Sequence, residues 1–272
     1  MSQNNEPSVL KRWIMRWDFK GLLVPVLLLL LWQYMSGRDA SHAYAFVPLQ
    51  QVWSSLKALL ASGELWVNLL GSLHRTTVGL LLGIVLGLLV GALMAISKIA
   101  NTLIGPLYHS IRQVPILGLT PLIGLWMGNG EPAKMFIITL AAFFPVVLNT
   151  YEGLRQVDVQ HAELAQVYQF NRRQYFWRMR LPAAIPSILT GFLHAVTFAW
   201  ITAIGSELLF NAGAGLGNLM MTAEVGAHMD IILICAITVT ILGVLMTQVV
   251  QGLSRRLLRW RPPLSYTSRH SK

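Results

Sequence analysis

Apolar residues run in long blocks along this chain, separated by short polar stretches. Six blocks predict membrane-spanning helices, over residues 21–36, 67–97, 104–127, 133–151, 183–210 and 231–253. A helix needs about 20 apolar residues to cross the hydrocarbon core, so the longer blocks must tilt or protrude. Between the first two blocks, "VPLQQVWSSLKALLASGELW" places Val52, Leu56, Leu59 and Leu60 at helical spacing. That spacing predicts an amphipathic helix lying at the interface. The pattern defines an all-α polytopic membrane protein. It divides into an N-terminal part (1–66), a core (67–261) and a tail (262–272).

Within the spans the pattern carries more detail. Gly79, Gly83, Gly87 and Gly91 recur every fourth residue and form one glycine ridge, which lets a neighbouring backbone approach closely. The third block holds Arg112, Pro115, Gly118, Pro121 and Gly124. Prolines at this density break or kink a helix, and freed backbone groups in lipid need cover from protein or a water-filled cavity. Two readings stand: a helix lining a permeation path, or a structural kink buried against neighbours. Glu207 lies near the outer end of the fifth block. It reads as part of a path or gate, or as an interfacial group. The "GAGLGN" that follows reads as a loop or re-entrant turn.

Composition and charge narrow the class. Of 272 residues, 54% are hydrophobic and 12% charged; soluble domains carry about 25% charge. The net charge is +10. Its source is topological. Basic residues cluster before the first span, between the fourth and fifth (Arg155, Arg172, Arg173, Arg178, Arg180) and after the last. The other side shows only Arg38, Lys57, Arg75 and Lys134. The positive-inside rule therefore places both termini and the 152–182 segment in the cytoplasm, and the basic excess needs no nucleic acid. No small-x-small cleavage site follows the first block, which reads as a retained span. Cys235 is the single cysteine, so no disulfide forms within the chain. His74, His109, His161, His194 and His228 lack metal-ligand spacing. With no nucleophile motif either, no catalytic residue, metal or cofactor is expected. No phosphate-binding loop with its Lys-Ser/Thr is present, so the chain does not power itself with ATP.

The 152–191 segment is unlike its surroundings. Val159, Ala162, Leu164, Ala165 and Val167 favour one short helix. Asn171, with Gln174 three residues on, predicts a capping box that starts a second, and Leu181-Pro182 ends the unit. Two short helices at an angle would present a cationic and aromatic surface fit for a groove on a soluble partner. A hairpin on the membrane surface is the other reading.

Here the sequence resembles the permease subunits of ATP-binding-cassette importers. Their coupling motif is Glu-Ala-Ala, three residues, Gly, nine residues, Ile, one residue, Leu-Pro. This chain matches the spacing with Glu163, Leu164, Ala165, Gln169, Met179, Leu181 and Pro182. Further stretches, among them "FWRMRLPAAIPSILTG" and "SELLFNAGAGLGNLM", resemble the nitrate, taurine and aliphatic-sulfonate branch. The resemblance implies the type I importer permease fold with about six spans in a bacterial inner membrane, and coupling helices at about 158–180. It implies ATPase subunits docked there, a periplasmic or lipid-anchored solute-binding protein, a second permease copy and surrounding lipid. The solute would be a small oxyanion, with Arg112, Pro115, Pro121 and Glu207 as candidates for its path. Gln169 departs from the motif's glycine, which lies in a turn where positive φ is expected. A non-glycine residue held there costs about 1 kcal/mol. An ion-gradient carrier or channel is the alternative. It would call for mid-membrane carboxylates and an inverted repeat. Only Glu207 falls inside a predicted span, and no repeat is visible.

Overall fold

The structure, a computed structural model, describes residues 27, 30–37, 46–156, 168–210 and 212–258. Its elements in chain order are α1 (Leu49–Ala61), α2 (Glu64–Ile96), α3 (Lys98–Ile111), a 3-10 turn (Ile116–Leu119) and α4 (Thr120–Met127). They continue with α5 (Glu131–Arg155), α6 (Arg172–Tyr175), a π-helical turn (Phe176–Arg180), α7 (Leu181–Leu209), α8 (Leu216–Val225) and α9 (Met229–Leu257). No strand occurs among the described residues.

Helix α5 is the centre of the bundle, with Ile137, Ile138, Ala141, Ala142, Val146 and Val147 all buried. Its close partner is α2, and the glycines set the distance. A Cβ built on Gly79 would stand 2.6 Å from Ile138 Cγ2, on Gly83 2.5 Å from Ala142 Cβ, on Gly87 2.7 Å from Val146 Cβ, and on Gly91 2.7 Å from the Val147 carbonyl oxygen. Both partners of the ridge advance together, so α2 and α5 run parallel. Helix α7 packs antiparallel on the other side of α5. Gly153 faces Ser187 and Gly191 faces Asn149, and the Ser187 hydroxyl donates to the Asn149 carbonyl at 2.8 Å. Helix α9 lies against α7, where Trp200 Nε1 donates to the Val239 carbonyl at 3.1 Å.

Among the described residues, four helices are long and apolar enough to cross a membrane: Glu64–Ile96, Glu131–Arg155, Arg172–Leu209 and Met229–Leu257. Helix α2, with 33 residues, is about 50 Å long and exceeds the core thickness. Their outward faces are greasy: Leu81, Val85 and Leu89 of α2 and Ile237, Ile241 and Val249 of α9 are exposed. Such a surface is stable against lipid and costly in water.

The structure corrects four expectations. The third span is not one helix from 104 to 127. Helix α3 begins at Lys98 and stops at Ile111, and the chain restarts as a 3-10 turn and α4. Pro115 causes the break: it lacks a donor and forces extended backbone before it. Pro121 sits in the first turn of α4, where its missing N–H costs nothing. Second, Leu181-Pro182 does not end the segment before it. Helix α6, the π-turn and α7 run on as one rod, with the Leu181 N–H donating to the Phe176 carbonyl in the wider π spacing. Third, only residues 213–215 of "GAGLGN" form the loop or turn read there; Leu216, Gly217 and Asn218 already open a helix, α8. Fourth, Arg75 and Lys134, counted with the outer charges, are buried inside the bundle. Of the first span, only residues 27 and 30–36 are described, as helix.

The amphipathic helix is α1. Val52, Leu56 and Leu59 pack onto Trp200, Ile204, Leu216 and Ile234, while Leu60 faces outward. Gly63, at φ 77°, turns α1 directly into α2.

Candidate functional site

Among the described residues, polar side chains gather in three places besides the Ser55–Asp230 pair that ties α1 to α9. The first is at the end of the bundle where α2 and α5 finish and α7 begins. Lys98, Arg155, Arg172, Arg173 and Arg178 gather there, and it is called the basic end below. Glu163, Leu164 and Ala165 lie outside the described residues. Gln169, Met179, Leu181 and Pro182 form a continuous piece of it. Gln169 has φ 51°, the left-handed conformation expected of the turn. Asn171 Oδ1 accepts from the Gln174 N–H at 2.8 Å, and Gln174 Oε1 accepts from the Asn171 N–H at 3.0 Å. This reciprocal cap starts α6. Tyr168, Gln169, Arg172, Arg173, Trp177 and Arg178 are exposed, and the Arg178 guanidinium lies 5.9 Å from the centre of the Phe170 ring.

The second is a cleft of about 550 Å³ between the α3–3-10 break, α5 and α7. Arg112, Gln113, Asn149, His194 and Thr202 supply its polar lining, and Tyr108, Pro115, Phe144 and Phe198 much of the rest. Helix α3 has 14 residues, so Arg112 stands about 20 Å along its axis, and His194 stands about 20 Å into α7. Both are therefore near mid-depth. Arg112 lies 6.0 Å from the centre of the Tyr108 ring. It is exposed and forms no ion pair among the described residues. Tyr108 is held in turn, its hydroxyl donating to the Phe144 carbonyl at 2.7 Å. Pro121 and Glu207 are not part of this cleft.

The third is at the opposite end, and Glu207 belongs to it. Glu207 is fully buried and ion-paired with Arg75 Nη1. It accepts from the Ser72 hydroxyl at 2.8 Å and from the Gly217 N–H at 2.9 Å. Arg75 also makes a two-pronged pair with Glu131, from Nε at 2.7 Å and Nη2 at 2.6 Å, and its Nη2 donates to the Ala214 carbonyl at 3.0 Å. Lys134 donates to the Ala212 carbonyl. Two cations and two carboxylates balance, and every buried charge has a partner, as burial requires. The cluster ties α2, α5 and α7 to the 212–217 turn and satisfies the first N–H groups of α8, a favourable place for a carboxylate. Within the chain these partners enclose the Glu207 side chain, and it lies outside the cleft.

A bundle with a broken, proline-rich helix beside a mid-depth polar cleft, and an exposed basic segment at one end, defines a membrane permease. Residues 83–259 match the family described as "Binding-protein-dependent transport system inner membrane component", and the chain belongs to that family. It is 36% identical over 242 residues to the aliphatic sulfonates transport permease protein SsuC of Bacillus subtilis (strain 168), covering 89% of this chain and 87% of that protein. It is 27% identical over 268 residues to the bicarbonate transport system permease protein CmpB of Synechococcus elongatus, covering 94% and 95%. Its fold matches a chain in a crystal structure of an amino acid ABC transporter with histidines. The TM-score is 0.62 at 18% identity, covering 74% of this chain and 97% of that one. The protein is a permease subunit of an ATP-binding-cassette importer.

Sequence reasoning missed most of the cleft lining. Tyr108, Asn149, His194 and Thr202 come from three separate helices, and His194 was weighed only for metal spacing. It also missed the pairing of Arg75 with Glu131 and Glu207. The available signal was a pair of cations, Arg75 and Lys134, falling inside or at the edge of apolar blocks, where a charge demands a partner.

Proposed function

We propose that the chain forms one half of the passage of an importer for a small oxyanion of the sulfonate or bicarbonate kind. The observation that carries this is Arg112: a cation at mid-depth in the cleft, exposed and without a carboxylate partner among the described residues. A guanidinium offers a planar fork of donors suited to oxyanions, and Gln113, Asn149 and His194 add polar groups around it. Relatives named for sulfonate and for bicarbonate transport share this anionic chemistry.

A second copy of the chain closes the open side of the cleft. ATPase subunits dock on the basic end through 158–182, with Glu163, Leu164 and Ala165 ahead of the Gln169 turn and Met179, Leu181 and Pro182 after it. A solute-binding protein delivers the anion at the opposite end. The basic end faces the cytoplasm with both termini, in keeping with the charge distribution. The core is 67–261; 1–66 contributes the first span and α1.

The test is uptake into proteoliposomes holding this chain, its ATPase and its binding protein, with labelled ethanesulfonate, taurine and bicarbonate as probes. ATP-dependent uptake of one of them is expected. Arg112→Gln should weaken it by about tenfold or more, the value of a hydrogen bond to a charged group. Uptake by the chain alone, driven by an ion gradient without ATP, would contradict the proposal and favour a carrier.

A further inference from the structure

Arg180 stands between the coupling positions Met179 and Leu181, at the last residue of the π-turn. Its side chain leaves its own helix. Nε donates to the Leu154 carbonyl, and Nη2 donates to the Ala95 carbonyl at 3.0 Å. These acceptors are on different helices. Ala95 is the penultimate residue of α2 and Leu154 the penultimate residue of α5. The last four carbonyls of a helix have no partner within it, and a cation beside them is favoured by the helix dipole. One planar group therefore closes the ends of two helices at once and joins both to the start of a third.

The position gives the contact mechanical meaning. The glycine ridge seats the α2 backbone directly on Ile138, Ala142 and Val146 of α5, a close packing that favours the two acting as one unit. The capping box and the π-turn make 171–180 continuous with α7. Arg180 is the described side chain that reaches from this segment to the ends of both α2 and α5. We infer that Arg180 is a positioning residue which passes displacement of the 169–180 segment on to the α2–α5 pair. The inference rests on the reading of that segment as the ATPase contact. It goes beyond it by naming the link between the contact and the bundle. Arginine suits the task because its fork holds two acceptors in fixed geometry, whereas lysine has a single nitrogen.

The experiment uses the complete complex in proteoliposomes, with ethanesulfonate, taurine and bicarbonate as probes, and measures uptake and ATP hydrolysis together. Arg180→Gln, Arg180→Lys and Arg256→Gln are compared with the natural chain. Arg256 is the control: it is an exposed arginine in the last turn of α9, outside the 158–182 segment and away from the ends of α2 and α5. Arg180→Gln is expected to assemble and hydrolyse ATP, yet to take up about tenfold less solute per ATP, a typical coupling loss. Arg180→Lys should fall between, and Arg256→Gln should keep the natural ratio. An unchanged ratio in Arg180→Gln would overturn the inference. So would a loss of uptake and hydrolysis in equal proportion with a lowered melting temperature, which marks a structural cap alone. A natural complex that takes up none of the probes on ATP overturns the proposed solute class, a failure distinct from that of the Arg180 link, which is an unchanged ratio in Arg180→Gln.

Discussion

Arg75 and Arg112 are both arginines within the apolar width of the bundle, and the structure treats them in opposite ways. Arg75 is 3% exposed and spends its donors on Glu207, Glu131 and a backbone carbonyl. Arg112 is exposed in a cleft and has an aromatic ring beside it, but no carboxylate partner among the described residues. A buried charge whose partners are all in place is part of the scaffold. A charge at the same kind of depth left open to a cavity is available to something that arrives. Pairing, not residue type, separates the two arginines.

This contrast can be broken most forcefully at Arg75. Arg75→Ala leaves Glu207 buried without its counter-ion, and the expected loss is about 3–5 kcal/mol of stability, read as unfolding of the purified chain in detergent. A variant as stable as the natural chain would show that the cluster is not scaffold. Next comes the α2–α5 contact. Gly83→Leu puts atoms where a Cβ alone already stands 2.5 Å from Ala142 Cβ, and overpacking costs about 1–3 kcal/mol in the same assay. Arg112→Gln sharpens the contrast from the other side. Its stability should stay within about 0.5 kcal/mol of the natural chain, as for an exposed position, while uptake falls. The smallest effect is expected at Gln169. Gln169→Gly relieves about 1 kcal/mol of left-handed strain against about 0.4–1 kcal/mol of added unfolded-chain entropy. Melting temperature should barely move, and ATPase affinity should be kept. A large loss of affinity would instead make the Gln169 side chain a contact.

What could be read from the sequence divides along the same line. Helices were visible where the signal is local. Apolar blocks located four continuous spans, Asn171 and Gln174 announced their cap by spacing, and the motif position of Gln169 announced its backbone. The run from α6 through α7 was harder, because a π-turn lets a helix continue into Leu181-Pro182 where the propensity rule expects a stop. The sites were harder still. Arg75 and Glu207 pair across 132 positions, and nothing near either residue names the other. The cleft is assembled from α3, α5 and α7, so its chemistry exists only after packing. Arg112 was visible as a candidate because a lone cation among prolines is conspicuous; His194 was not, because a histidine on an apolar helix carries no local sign of what it faces.

If Arg112 and His194 border the anion's passage and the outward side of α2 does not, thiol chemistry separates the two faces. Cys235 is the single native cysteine and is fully buried, so introduced cysteines can be read against a low background. Arg112→Cys, His194→Cys and Val85→Cys are placed in the assembled complex and treated with a charged, water-soluble thiol reagent. Reaction is expected at positions 112 and 194, slowed by the transported anion, and none at position 85. Failure of both cleft positions to react in a folded, ATP-hydrolysing complex would contradict that placement.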